Sequence, residues 1–289
     1  MKTAFVTGVT GQDGSYLADL LLEKEYRVFG MIRQVSDHRM SRIEHLKDNK
    51  NFELVHGDLL DQGSISKLVT LIRPAEFYNL AAHSFVGNSW DQPIAVAEVS
   101  GLGALRCLEA IRLHSQTTKF YQASTSEMFG NMLSAYGHMP NGLHETAGFA
   151  PRSPYGAAKL FAHNSTVLYR DSHKLFACSG ILFNHESERR GLEFVTQKIA
   201  MTAAQIAFEK AHTGIVKTKL KLGNTAAMRD WGHARDYVRA MWLMLQADLP
   251  SDFVIATGDA HSVQEFGEQA FRCMGLDYFA HIEISEEFK

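Results

Sequence analysis

The sequence has little of what marks a membrane-embedded, exported or nucleic-acid-binding chain. No apolar run approaches the roughly 20 residues that a bilayer-spanning helix requires, so no membrane anchor is expected. The first residues enter a strand pattern at once, without a basic stretch followed by an apolar one, so no secretory leader is expected. Charge of neither sign dominates: 29 Lys and Arg against 32 Asp and Glu give a formal net charge of -3, which lacks the basic footprint of a nucleic-acid or anionic-membrane binder. Cysteine is scarce. Cys107, Cys178 and Cys273 are far apart and odd in number, which argues against a disulfide framework and fits a reducing, cytoplasmic compartment. The 14 histidines form no HxH or HExxH pair and have no cysteine pair beside them, so no metal site is expected. Internal repeats and low-complexity segments are also absent from the sequence.

What is present is material for a core: 45% of the 289 residues are hydrophobic, enough for one large domain or two small ones. Short apolar runs alternate with longer helical patterns. Strands are predicted at 3–7, 27–33, 53–56, 76–80, 118–123 and 176–182, and helices at 15–24, 64–72, 94–113 and 155–172. This alternation predicts an α/β fold with a doubly wound parallel sheet of the Rossmann kind, covered on both faces. Loops are expected at 34–41, 131–153 and 184–193. After 183 the alternation loosens, as in a chain that builds a smaller lobe while returning some elements to the sheet. The expected division is 1–183 plus about 218–256 for the sheet domain, and about 184–217 with 257–289 for a short substrate-binding lobe.

The stretch TGVTGQDGSY places Gly8, Gly11 and Gly14 at spacings of three between the first strand and the first helix. Glycine lets a phosphate approach the backbone, and a helix N-terminus supplies N–H donors, so the turn reads as a dinucleotide site; the plain alternative is a tight strand-to-helix turn. An acidic residue at the end of the second strand would bind the ribose 2′-hydroxyl of NAD. That place holds Arg33, with Arg39 and Arg42 nearby, and a guanidinium suits the 2′-phosphate of NADP, unless Arg33 is only a solvated strand end. Asp58 follows the third strand, where it accepts from an adenine amino group or caps the next turn.

Of nine tyrosines, Tyr155 alone has a lysine, Lys159, four residues later. On a helix that spacing puts both on one face, and an ammonium stabilises a phenolate, making Tyr155 a usable base near neutral pH. In YQASTSEMFG the alternation of a strand would set Thr125 and Glu127 on one face, with Ser124 and Ser126 on the other. Thr125 can donate to a developing oxyanion, and Glu127 reaches a neighbouring carbon; the plain reading of both is a cap or turn. A simple alcohol oxidation needs no such carboxylate, so Glu127 points to proton abstraction beside a ketone.

Together TGVTGQDGSYLA, YNLAAHSFVGNSW, YQASTSEMFG, PRSPYGAAK, GILFNHESERRGLEFVTQK and RDWGHARDYVRAMW resemble the GDP-mannose 4,6-dehydratases of the extended short-chain dehydrogenase/reductase superfamily, over roughly residues 1–271. The sequence departs from that pattern at Glu188, Gln197, 208–224 and 225–228 and in a longer loop at 131–147, and ends at Lys289, before members of that family normally finish. The resemblance implies conversion of GDP-D-mannose to GDP-4-keto-6-deoxy-D-mannose with internally recycled NADP. It implies that Gly8, Val9, Thr10, Gly11, Gln12 and Asp13, with Gly14 closing the turn, cradle the pyrophosphate. Arg33 would face the 2′-phosphate, and Asp58 and Leu59 the adenine. Leu80, Ala81, Ala82, His83 and Ser84 would lie along the cofactor. His185 and Arg190 would belong to a cofactor-binding loop whose contacts cross a subunit boundary. Asn184, Lys198, Gly223 and Arg229 would line the nucleotide-sugar site, and Thr125, Glu127, Tyr155 and Lys159 would form the catalytic set, with Lys159 also binding the cofactor through its ribose. A homodimer or homotetramer is implied. The rival readings are an NADP-dependent nucleotide-sugar reductase or epimerase on the same fold, or an NADP-binding sensor without catalysis.

Overall fold

The structure, a computed structural model, describes residues 1–33, 40–130 and 142–285. The loops expected at 34–41 and 131–153 fall in large part, with Arg39, outside the described residues. The chain runs β1 (Thr3–Thr7), α1 (Gln12–Glu23), β2 (Arg27–Ile32), β3 (Phe52–His56), α2 (Gln62–Ile72), β4 (Glu76–Asn79), α3 (Pro93–Val96), a π-helical stretch (Ala97–Leu102), α4 (Gly103–His114), β5 (Lys119–Thr125), α5 (Pro154–His173) and β6 (Ala177–Leu182). It continues through β7 (Asn184–Glu186), α6 (Val195–Thr213), β8 (Leu220–Leu222) and β9 (Met228–His233). It then passes into α7 (Ala234–Gln246) and β10 (Asp252–Ile255), followed by β11 (Ala260–Ser262), α8 (Val263–Cys273) and β12 (Ile282–Ile284).

Two compact units result: Met1–Phe183 with His233–Ile255, and Asn184–Gly232 with the chain from Ala256 onward. The first holds a seven-stranded sheet in the order β10-β6-β5-β4-β1-β2-β3, with every neighbouring pair parallel. Period-two alternation assigns the faces. Ala4, Val6, Tyr78, Tyr121 and Cys178 enter one core with residues of α1 and α7. Phe5, Phe77, Phe120 and Ala177 enter the other with residues of α2 and α4. Phe5, Phe77 and Phe120 occupy matched positions on adjacent strands, so their rings form a row with centroids 4.8 and 5.7 Å apart. Each fully buried ring contributes roughly 2–3 kcal/mol over an exposed one, so the row stiffens the centre of the sheet.

The strand order reverses between β1 and β4, because β2 and β3 lie to one side of β1 and β4, β5 and β6 to the other. A crevice opens at such a switch point, at the C-terminal ends of the strands. The second unit packs Ile199, Ala203 and Ile206 of α6 and Phe271 of α8 on Leu220 and Leu222 of β8.

Two expectations change. Residues 218–232, expected with the sheet domain as part of 218–256, belong to the second unit: β8 pairs with β12, and β9 lies between β11 and β7. Their short strands find partners there, so only α7 and β10 return to the large sheet. The segment expected as a loop at 184–193 begins with the strand β7.

Candidate active site

The glycine turn is built by steric necessity. Gly8 has φ +69°, and a Cβ there would lie 2.8 Å from Ala81 N. A Cβ on Gly14 would lie 2.2 Å from Gly8 O, so the start of α1 sits directly on the turn. Gly11 N donates to Gly8 O at 2.9 Å, closing the turn, and Gly11 is the N-cap of α1 without a side chain to cover the helix end. At Gly11 an added Cβ would meet only Gly8 O, at 3.1 Å. Backbone is therefore what the turn presents, at the mouth of the β1–β4 crevice, and this fits a dinucleotide pyrophosphate. Val9 and Gln12 are buried, while Thr10 and Asp13 are half-buried.

Thr7, the last residue of β1, organises the opposite wall. Its Oγ1 accepts from Leu80 N and Ala81 N at 3.0 and 3.1 Å and donates to Asn79 Oδ1 at 2.8 Å. Asn79 Nδ2 donates to Gln122 Oε1 at 2.9 Å, and Gln122 Nε2 donates to Ala123 O, also at 2.9 Å. Lys159 Nζ donates to the same carbonyl at 2.8 Å. A buried ladder thus runs along the end of the sheet from the glycine turn to Lys159. Asn79 and Gln122 escaped the sequence reading because a lone polar residue in an apolar strand carries no periodic signal.

Leu80 to Ser84 line the region beyond β4. His83 N donates to Ser100 Oγ at 3.1 Å, and Ser100 lies in the π-helical stretch. A single π turn rotates the following residues out of helical register, and such turns recur at functional sites. Here Gly101 sits against Ala158 of α5, and Gly103 against Leu59. The helical pattern of 94–113 reads as one continuous helix and, apart from Gly101 and Gly103, gave no sign of this interruption.

Arg33 is exposed and immediately follows β2. Arg42 reaches the glycine turn itself, Nη1 donating to Thr10 O at 3.2 Å. Asp58 Oδ1 accepts from Leu60 N at 3.0 Å, the turn-capping alternative, and Leu59 turns its side chain into the core, leaving its backbone carbonyl to accept from Arg106.

Tyr155 and Lys159 project from α5, whose start is set by Pro154 and by the N-cap Ser153, its Oγ accepting from Gly156 N at 3.0 Å. Lys159 is 3% exposed, and its Nζ lies 5.9 Å from the centroid of the Tyr155 ring. Burial lowers its ammonium from 10.5 to about 8, and the Asp13 carboxylate opposes that shift. Thr125 ends β5. Glu127 is not on the strand, as alternation predicted; it lies in a 3-10 turn over Ser126–Met128. The reason is the cap: Thr125 Oγ1 accepts from Glu127 N at 3.3 Å, which bends the backbone after Thr125. Accepting that bond leaves the Thr125 hydroxyl proton to be donated elsewhere. Glu127 still comes to α5, because Gly156, next to Tyr155, packs on the Glu127 carbonyl so closely that a Cβ would lie 2.9 Å from it. The phenol, the ammonium, the hydroxyl and the carboxylate are thus carried by two abutting segments of the first unit.

The remaining candidates lie in the second unit. Asn184 and buried His185 are on β7, and Arg229 is on β9 of the same small sheet. Lys198 is in the first turns of α6, and Gly223 follows β8. Arg190 lies over the Phe194 ring, 3.4 Å from its centroid, with Nε 3.1 Å from Glu186 Oε2.

A sequence model of the GDP-mannose 4,6 dehydratase family matches residues 5–289. A GDP-mannose 4,6 dehydratase from Cricetulus griseus is 49% identical over 282 residues, which is 95% of this chain and 73% of that protein. A GDP-mannose 4,6-dehydratase from Yersinia enterocolitica is 48% identical over 305 residues, covering 100% of this chain and 79% of its own length. The fold matches a crystal structure of dTDP-glucose 4,6-dehydratase from Bacillus anthracis in complex with NAD, with TM-score 0.84 and 20% identity over 99% of this chain and 84% of that one. It also matches UDP-glucose 4-epimerase from Thermus thermophilus in complex with NAD, with TM-score 0.80 and 23% identity over 98% and 86% of the two chains. By its sequence, and with the doubly wound fold those structures share, this chain belongs to the GDP-mannose 4,6-dehydratase family.

Proposed function

We propose that the protein converts GDP-D-mannose to GDP-4-keto-6-deoxy-D-mannose, with NADP held at the glycine turn and recycled within each turnover. The observation that carries this reading is the abutment of α5, bearing Tyr155 and Lys159, on the end of β5, where Thr125 and Glu127 follow each other. When bound, the nicotinamide supplies removal of hydride from the sugar C4 and its return at C6. Tyr155 takes the proton of the C4 hydroxyl, and the Lys159 ammonium beside it favours the phenolate. Thr125 donates to the C4 oxygen as charge develops there. Glu127 removes the C5 proton, acidified by the adjacent ketone, and passes a proton to the departing C6 hydroxyl, so that water leaves; as hydride is returned at C6, C5 takes up a proton again.

Arg33, with Arg42 held against the turn, supports NADP over NAD, since a guanidinium fork matches a phosphate. Asp58 and Leu59 meet the adenine, and Leu80 to Ser84 run along the cofactor. His185 and Arg190 contribute to cofactor binding across a subunit boundary. Asn184, Lys198, Gly223 and Arg229 hold the nucleotide sugar, with Lys198 and Arg229 balancing its diphosphate. The protein acts in the cytoplasm as a homodimer or homotetramer. Exposed Ile94 on α3 and Phe161 and Leu168 on α5 support a helical subunit interface.

The test is incubation of the purified protein with NADP and GDP-mannose, and with other nucleotide sugars in parallel, with products identified by mass. Loss of one water, uptake of solvent deuterium at C5 and no net NADPH are expected. Glu127→Gln should lower turnover by about 10²–10⁴-fold. Undiminished turnover in that variant, or stoichiometric NADPH consumption by the wild type when NADPH is supplied in place of NADP, would refute the assignment, the latter in favour of a reductase.

A further inference from the structure

Tyr155, Lys159 and His163 recur every four residues along α5, so all three project from one face of the helix. The chemistry proposed above employs only the first two. His163 is 4% exposed, and its Nδ1 lies 3.2 Å from Ser124 Oγ, on a residue that is itself 3% exposed. Lys159 makes the equivalent contact one turn earlier, to the carbonyl of Ala123. The helix is thus tied to two consecutive residues of β5, directly before the strand gives way to Thr125 and the turn of Glu127. On its other side His163 meets the edge of the Phe149 ring at 5.2 Å, and Phe149 packs at the same spacing on Phe129, which follows that turn. Burial holds the imidazole below its ordinary range, with Asp252 opposing and Arg170 reinforcing the shift, so the neutral ring is the form that meets Ser124.

We propose that His163 is a positioning residue, which through Ser124 sets the register between the helix bearing Tyr155 and the strand end bearing Thr125 and Glu127. The proposal rests on the dehydratase reading. In that reaction two proton transfers take place at neighbouring carbons, so the separation of phenol and carboxylate must be held. A misplacement of about 1 Å can cost about 10²-fold in rate. The Lys159 tie holds Tyr155 near β5 by itself. The Ser124 tie, one residue closer to the turn, constrains the carboxylate side, so its loss falls on the C5 step.

The experiment compares full-length wild type, His163→Leu, Ser124→Ala, the double variant and His163→Asn, all loaded with NADP. His163→Leu and Ser124→Ala should each lower kcat about 10-fold or more, with KM for GDP-mannose and Kd for NADP within about 2-fold of wild type. The double variant should be no worse than either single one, because both remove the same link. His163→Asn places an amide near the position of Nδ1 and should recover most of the rate. In a single turnover, absorbance of reduced nicotinamide should build up and persist in His163→Leu, since C4 oxidation then outruns C5 deprotonation, and should stay low in wild type. Unchanged kcat, a loss confined to KM, additive losses, or no build-up of reduced nicotinamide would each overturn the proposal. Should His163→Leu fail to fold, Ser124→Ala and His163→Asn decide the matter by the same readouts. A wild type that is inactive on GDP-mannose sinks the dehydratase reading itself, whereas an active wild type with unaffected variants sinks only the role of His163.

Discussion

At the scale of single residues, Lys159 is where chemistry and stability conflict. An ammonium buried at the end of the sheet donates to a neutral acceptor, the Ala123 carbonyl, and the Asp13 carboxylate offsets the cost of its burial only in part. Its folded value of about 8 lies below the 10.5 of the free side chain. Between those values the unfolded chain binds more protons than the folded one, so this residue makes stability rise with pH across that window. Below about pH 8 it costs up to about 3 kcal/mol. Lys159→Met should therefore raise the urea midpoint of the cofactor-free protein at pH 7, because Gln122 still satisfies Ala123 O. The advantage should shrink by pH 10, and turnover should fall by about 10²-fold or more. An equal gain at both pH values would show that burial of charge is not its source. The residue types were legible: Tyr155 and Lys159 stand out by spacing alone. The ladder of Thr7, Asn79 and Gln122 was not, because its members are brought together by strand neighbours 72 and 43 positions apart.

Among the elements, the turn from β1 to α1 separates steric from functional glycine. Gly14→Ala drives a methyl group into the Gly8 carbonyl, rigid backbone that cannot step aside, so stability should fall by about 1–3 kcal/mol together with NADP affinity. Gly11→Ala meets a single atom, at 3.1 Å, from a φ of -74° that alanine tolerates. It should cost under about 1 kcal/mol of stability while still weakening NADP at least several-fold, because the methyl group occupies the cradle. Urea unfolding and a fluorescence titration with NADP separate the two; equal effects of the two variants on both measurements would contradict the assignment. Element positions were largely readable, since the strands of a parallel sheet are buried on both faces and written as short apolar runs bounded by turn residues. Glu127 shows where that reading stops: alternation extrapolates a strand for as long as residues alternate, and a cap at Thr125 ends it first.

For the whole molecule, the return of the chain to the large sheet, made by the packing of α7 and the pairing of β10 with β6, is fastened by a charged clamp. Asp252 opens β10 and accepts from Arg170 through both oxygens, at 2.9 and 2.8 Å, and from Ser179 N at 3.0 Å. Burial alone would raise its carboxyl, but the guanidinium and the N–H overcome that and hold it below its ordinary value of 3.8. Its stabilising contribution is therefore present above about pH 4 and lost as pH falls through the lowered folded value. Asp252→Asn leaves the largely buried Arg170 with only the exposed Asp171 carboxylate, 3.8 Å from its Nε, as counter-charge, and stability at pH 7 should drop by about 2–3 kcal/mol. The gap to wild type should narrow as pH falls, as followed by unfolding between pH 7 and pH 3. A gap independent of pH would rule out the ion pair as its cause.

The sequence by itself determined the alternating fold, the glycine turn and the identities of the reactive groups, because these depend on side-chain period, on steric size and on chemistry local to a few residues. Only the tertiary structure decided that β8 and β9 join the second unit, that the π-helical stretch admits α5 at Gly101, and that Glu127 meets the Tyr155 segment across Gly156. Those outcomes depend on which distant surfaces fit together, and packing of that kind leaves no pattern along the chain.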